Sequence, residues 1–165
     1  MLRKKSKRHF YIVTVIVVLL VIWTAWSNTT VGITHYTVAS DKLPASFDHY
    51  SIVVVSDLHN AEFGENNSQL IKLIEKEKPD IIVITGDLVD SNKTNIDIAQ
   101  KLVGTLTGIA PCYYVTGNHE AWLGEQYQEL ESILLDEGVA ILHDRAVQLI
   151  KNTESIQLAG LDDPD

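Results

Sequence analysis

Three short apolar runs, each ending in residues of the kind that bind metals or move protons, constrain this chain more than anything else in it. Ser51–Val55 (SIVVV) leads into Ser56, Asp57, Leu58 and His59. Ile81–Thr85 (IIVIT) leads into Gly86, Asp87, Leu88, Val89 and Asp90. Cys112–Thr116 (CYYVT) leads into Gly117, Asn118, His119 and Glu120. Short β-branched runs without alternation fit strands of a sheet covered on both faces.

The segments between them have helical periodicity. Gln69–Lys78 carries Leu70, Ile71, Leu73 and Ile74, with Asn67 or Ser68 as a cap and Pro79 as a stop. Asn95–Ile109 repeats the pattern with Ile98, Leu102, Leu106 and Ile109, and Pro111 closes it. Gly124–Asp136 turns Tyr127, Leu130, Ile133 and Leu134 inward, with Gly138 as its C-cap. Strand and helix alternating three times predict βαβ units and a largely parallel sheet. Val139–Leu142, Ala146–Ile150 and Ser155–Ala159 read as three further short strands. Ahead of all these, Ile33–Ala39 alternates and reads as a strand with one wet face. His35 and His49 there read as ordinary strand and loop residues.

Phe10–Trp26 is an unbroken apolar stretch interrupted only by Thr14 and Thr24. As a helix its seventeen residues span roughly 26 Å, close to the ~30 Å hydrocarbon core of a bilayer. Trp23 and Trp26 sit where an interfacial aromatic belt belongs. Arg3, Lys4, Lys5, Lys7 and Arg8 precede it, so the positive-inside rule places residues 1–9 in the cytoplasm and the rest outside. A cleaved signal would have a shorter apolar core and a small-residue site; Ala25-Trp26-Ser27 is a poor one, which favours a retained anchor.

Beyond residue 9 the chain carries 8 basic against 22 acidic residues, a balance of −14. Such a surface repels a phosphate backbone, and this excludes nucleic acid as a partner. The single cysteine, Cys112, lies within an apolar run, permits no intrachain disulfide and reads as a buried thiol.

Ligands in open α/β sheets bind beyond the carboxyl ends of the strands. Asp57 and His59 are two residues apart and would point to one side if the strand continued. Asp87 and Asp90 follow the second run, and Asn118 and His119 the third. One acid after one strand is usually a turn or cap residue, but three such endings in register point to one shared site. Gly86 and Gly117 mark the turns.

DLH, GDLVD and GNHE, in that order and each after a strand, resemble the first three signatures of the calcineurin-like metallophosphoesterases, and among them the membrane-anchored bacterial type. The resemblance covers about Ile33–Asp165. It implies an α/β fold, a metallophosphoesterase-like β-sandwich flanked by helices, of which the first (βαβαβα) half is present, preceded by one transmembrane helix. It divides the chain into a basic tail (1–9), a signal-anchor helix (10–26), a linker (27–32) and a C-terminally incomplete phosphoesterase domain (33–165). It further implies a two-metal site that hydrolyses a phosphomonoester, phosphodiester or pyrophosphate by attack of a bridging hydroxide. Asp57 and His59 would hold the first metal, Asp87 both, and Asn118 the second. His119 would protonate the leaving oxygen or steady the phosphate, Asp90 would orient His119, and Glu120 would support the ligands from behind. The mixed nitrogen and oxygen donors suit Mn, Fe, Zn or Co. Lipid-like or cell-envelope phosphoesters are the expected substrates, by analogy with related enzymes.

The resemblance also implies later histidines, one after a further strand and a G-H-x-H pair. After His119 the chain has His143 alone, in Leu142-His143-Asp144, which matches neither and reads as a loop residue. The expectation is therefore an N-terminal portion with three ligands for the first metal and two for the second, inactive or nearly so by itself. The alternative expectation is a non-catalytic descendant that binds metal or phosphate at the membrane.

Overall fold

The computed structural model describes residues 2–163, and the side chains of residues 7–24 and 30–163. Met1, the side chains of Arg3, Lys4 and Lys5, those of the Ala25-Trp26-Ser27 cleavage motif and the last two residues lie outside the described residues. The chain divides into two units between Ile33 and Thr34.

The first unit contains a single helix, α1 (Leu2–Thr29), longer at both ends than the apolar run inside it. Its Lys7–Thr24 window has a mean hydropathy of 1.6 and no buried residue, so by length and composition it can cross a bilayer. The hydroxyls of Thr14 and Thr24 donate back to the carbonyls of Phe10 and Leu20, at 3.0 and 2.9 Å. Both polar side chains are thus satisfied within the helix, as an apolar solvent requires.

In the second unit, four parallel strands lie in chain order: β1 (Ile52–Val55), β2 (Ile81–Thr85), β3 (Cys112–Val115) and β4 (Ala140–Ile141). Helices α2 (Ser68–Glu77), α3 (Ile96–Leu106) and α5 (Gln126–Asp136) connect them, with a single turn, α4 (Asn118–Ala121), between β3 and α5. Ile52 pairs with Ile81, Ile82 with Cys112 and Tyr113 with Ala140, so alternate residues share a face. One face (Val55, Ile82, Ile84, Cys112, Tyr114) packs on Ile74, Leu102, Leu106, Leu130 and Leu134 of the helices. The other (Ile81, Val83, Tyr113) meets Phe47, Tyr50 and an antiparallel hairpin, β5 (Arg145–Lys151) and β6 (Glu154–Gly160), through Leu149, Ile156 and Leu158. This is the mixed α/β arrangement with a largely parallel sheet that the apolar runs predict. Burial pushes the Cys112 thiol up to about 11, in line with an inert core cysteine.

Two expectations fail. Residues 34–39 form no strand: β1 pairs with β2 alone, and Tyr36 and Val38 are fully exposed. Alternation indicates a strand only where a partner edge accepts it. Nor is β1 covered on both faces, since Ile52 and Val54 are exposed where the hairpin does not reach.

His143, in the loop joining β4 to β5, is more than a bland loop residue. Its ring is held between Asp162 Oδ2 at 2.6 Å and Glu131 Oε1 at 2.7 Å, tying α5 to the segment after β6. Hydrogen bonds to Glu131 and then Asp162 raise its pKa above the usual 6.5. Burial pushes Asp162 up, but hydrogen bonds from His143 and from the Thr116 amide outweigh it and hold Asp162 below 3.8. The His143 contribution is complete below about pH 6.5 and lost as pH rises through its folded value, whereas that of Asp162 is lost as pH falls through its own. Pairs this exposed contribute about 0.2–1 kcal/mol. Between pH 6 and pH 9 the thermal midpoint of the wild type should therefore fall about 1–3 °C further than that of His143→Gln, as followed by circular dichroism.

Candidate metal centre

Each apolar strand ends in a loop that alternates core and ligand residues. Leu58 lies beneath Asp57 and His59, and Leu88 and Val89 lie beneath Asp87 and Asp90; all three are buried in the helix-side core. Burying them directs the polar side chains outward.

The backbone between them is not extended. Asp57, His59 and Asp87 have φ of 54°, 46° and 51°, in the left-handed region that costs a non-glycine residue roughly 1–2 kcal/mol. Convergence of Asp57 and His59 thus comes from two left-handed turns, not from the strand alternation expected of them. Backbone bonds hold these turns together: the amides of Asp57, His59 and Asn60 donate to the carbonyls of Gly86, Asp87 and Leu88 at 3.3, 2.9 and 3.3 Å. Gly86 is also left-handed, at φ 86°, and a Cβ on it would overlap the backbone of Gly117. At Gly117 the requirement is space, since a Cβ there would stand 2.5 Å from Asp87 Oδ1.

Behind the loops sits Glu120, 1% exposed. Its Oε2 accepts the amides of Asp87 (2.7 Å) and Gly117 (2.9 Å), and its Oε1 those of Leu88 (2.8 Å) and Val89 (3.3 Å). All four donors belong to the ligand-bearing turns. Glu120 therefore faces away from any cation and shapes the loops that would hold it.

The outward side chains meet. His59 Nε2 lies 3.9 Å from Asp57 Oδ1 and 3.9 Å from Asp87 Oδ2. One ligand atom from each of the three falls within 4.8 Å of the others. Two ligand bonds of about 2.1 Å span up to roughly 4.2 Å, so both 3.9 Å separations suit a shared divalent cation with mixed oxygen and nitrogen donors. Among the described residues no lysine or arginine pairs with Asp57, Asp87 or Asp90. Asp87 Oδ1 accepts the His119 amide at 2.9 Å, which leaves Oδ2 facing His59. Asn118 is the half-buried first residue of α4 and precedes His119 in the chain.

His119 stands edge-on to His59, their ring centroids 4.5 Å apart. Its Nδ1 accepts the Ser91 amide at 3.0 Å, so in the neutral ring the proton sits on Nε2. Asp90 Oδ1 is 3.9 Å from Nδ1 and accepts the Asn92 amide at 2.7 Å, which holds the Asp90 carboxyl below its usual range. Asp90 thus shapes the turn that presents the Ser91 amide to His119. Sequence reasoning missed Ser91 and the fourfold role of Glu120. The spacing of Gly117 to Glu120, the reach of an N3 glutamate back to the N-cap amide, is the signal that finds the latter.

The profile of the calcineurin-like phosphoesterase family matches residues 50–160. This chain belongs to the calcineurin-like phosphoesterase family. An uncharacterised metallophosphoesterase of Aquifex aeolicus (strain VF5) is 34% identical over 132 residues, covering 79% of this chain and 48% of the relative. Another from Bacillus subtilis (strain 168) is 31% identical, covering 74% and 46%. A transmembrane protein with a metallophosphoesterase domain from Bos taurus is 29% identical, covering 98% and 38%. The calcineurin-like chain thus spans at most about half the length of these relatives.

Glu120→Gln keeps the volume but turns one acceptor into a donor facing buried amides. This variant of the phosphoesterase chain should lose about 2–4 kcal/mol in urea unfolding, whereas a merely space-filling Glu120 would lose almost nothing.

Proposed function

We propose that this chain carries the cation-binding part of a membrane-anchored phosphoester hydrolase, acting on a phosphomonoester, phosphodiester or pyrophosphate. The observation that carries the reading is the meeting of Asp57, His59 and Asp87 beyond β1 and β2, with no lysine or arginine paired with the two carboxylates among the described residues. Asp57, His59 and Asp87 would hold one divalent cation, Mn, Fe, Zn or Co by donor type, and Asp87 with Asn118 would hold a second. When bound, such cations supply a hydroxide at neutral pH and offset charge on the phosphoryl oxygens. His119, with Nδ1 occupied by the Ser91 amide, presents its Nε2 proton to the leaving oxygen. Asp90 and Ser91 position that ring, and Glu120 holds the turns.

Helix α1 anchors the chain, its basic N-terminal end in the cytoplasm and the phosphoesterase unit outside, which favours lipid-like or cell-envelope phosphoesters near the membrane. The ligand count bears on activity. The residues described here offer three ligands to the first cation and two to the second, so we propose that the 165-residue chain binds one cation well and hydrolyses little by itself.

Calorimetric titration of the chain in detergent should show one Mn²⁺ site of micromolar affinity, weakened at least tenfold in Asp87→Asn. An absence of Mn²⁺ binding contradicts the site. Hydrolysis of p-nitrophenyl phosphate by the wild type, lost in Asp87→Asn, contradicts the proposed inactivity.

A further inference from the structure

Trp122 is the exposed aromatic residue beside the centre. It follows α4 directly, and its amide donates to the Asn118 carbonyl at 3.1 Å. Its indole lies 5.2 Å from the His119 ring at an interplanar angle of 45°, yet stays 61% exposed. His119 in turn is 17% exposed and stands edge-on to His59. Three rings thus run from the cation ligands to solvent: His59, His119, Trp122.

The order of these rings has a chemical consequence. A leaving oxygen protonated by His119 lies on the His119 side of the phosphoryl group. The body of the leaving group then extends away from the cations, and the Trp122 indole, 5.2 Å from the His119 ring, is within its reach. An isolated surface tryptophan needs no explanation. One packed against the proposed proton donor does, because its exposed face lies beside the ring that would protonate the departing alcohol.

We propose that Trp122 is a specificity-determining platform for the leaving group, and that among cell-envelope phosphoesters the preferred one carries a flat aryl ring close to its ester oxygen. The proposal rests on the reading of His119 and the cation site above. A flat ring covers the indole face in an offset or tilted stack, whereas a small alcohol leaves it wet. Covering half an indole favours the ringed ligand about tenfold. Trp122 acts through ground-state contact with the leaving group and takes no part in proton transfer.

The test uses binding rather than turnover. The full 165-residue chain in neutral detergent, loaded with Mn²⁺, is titrated with methylphosphonate, phenylphosphonate and cyclohexylphosphonate, and affinities are read from the Mn²⁺-induced relaxation of ³¹P. That readout reports only ligand phosphorus close to the cation. Phenylphosphonate should bind about tenfold tighter than methylphosphonate, and cyclohexylphosphonate should fall between. Trp122→Ala should bring the phenyl preference to within about twofold while methylphosphonate affinity is unchanged, and Trp122→Phe should keep most of the preference. No phenyl preference in the wild type, or one unchanged in Trp122→Ala, overturns the platform while the phosphate site stands. Cyclohexylphosphonate binding as tightly as phenylphosphonate overturns the flat-ring assignment. Failure of all three phosphonates to bind the Mn²⁺-loaded chain overturns the phosphoester site, and the platform with it.

Discussion

The Glu120 carboxylate and the four backbone amides it accepts hold the centre together. Three left-handed residues, Asp57, His59 and Asp87, occupy costly backbone conformations at the ends of β1 and β2. Such strain persists only where the surroundings over-determine it. Glu120 does so for the β2 end, since Asp87, Leu88 and Val89 all donate to it, and links that turn to Gly117 at the β3 end. The β1 end follows through the bonds from Asp57, His59 and Asn60 to the carbonyls of the β2 loop. A buried carboxylate is costly unless its oxygens are fully hydrogen-bonded, and here the donors are the loops whose shape matters.

This arrangement explains why candidate ligands from separate strands meet. The parallel sheet brings the three strand ends to one edge, and the buried Leu58, Leu88 and Val89 pin each loop to the core. The close approach of Gly86 to Gly117 sets the spacing, because a side chain at either would push the loops apart. Asp87 is central to both scaffold and site. Its amide goes to Glu120, one carboxylate oxygen to the His119 amide, and the other faces His59.

Much of this was legible from the residues. Ile81–Thr85 matches β2 in full, and β1 and β3 differ from their apolar runs by one residue, because continuous β-branched runs have few other fates in a covered sheet. Helices α2 and α3 begin within a residue of their apolar periodicity. The ligand types were legible as a set of strand endings, and the family match to residues 50–160 agrees with the resemblance of DLH, GDLVD and GNHE. Other features depend on contacts distant in sequence. No pattern in residues 33–39 says that β1 pairs only with β2. The capping expected of Asn67 or Ser68 is replaced by Asn67 Oδ1 accepting the Phe63 amide, a bond set by the fold of the loop. The left-handed ligands were unreadable for the same reason, since the bonds that stabilise them reach from one strand end to the next.

The strand ends shaped from behind by Glu120 bring a single imidazole, that of His59, and two carboxylates within reach of one cation. Electron–nuclear double resonance of Mn²⁺ bound to the chain with ¹⁵N-labelled histidine tests it directly. The predicted spectrum has one histidine ¹⁵N coupling, which disappears in His59→Ala and remains in His143→Gln. A spectrum without histidine ¹⁵N coupling, or one unchanged in His59→Ala, would contradict the account.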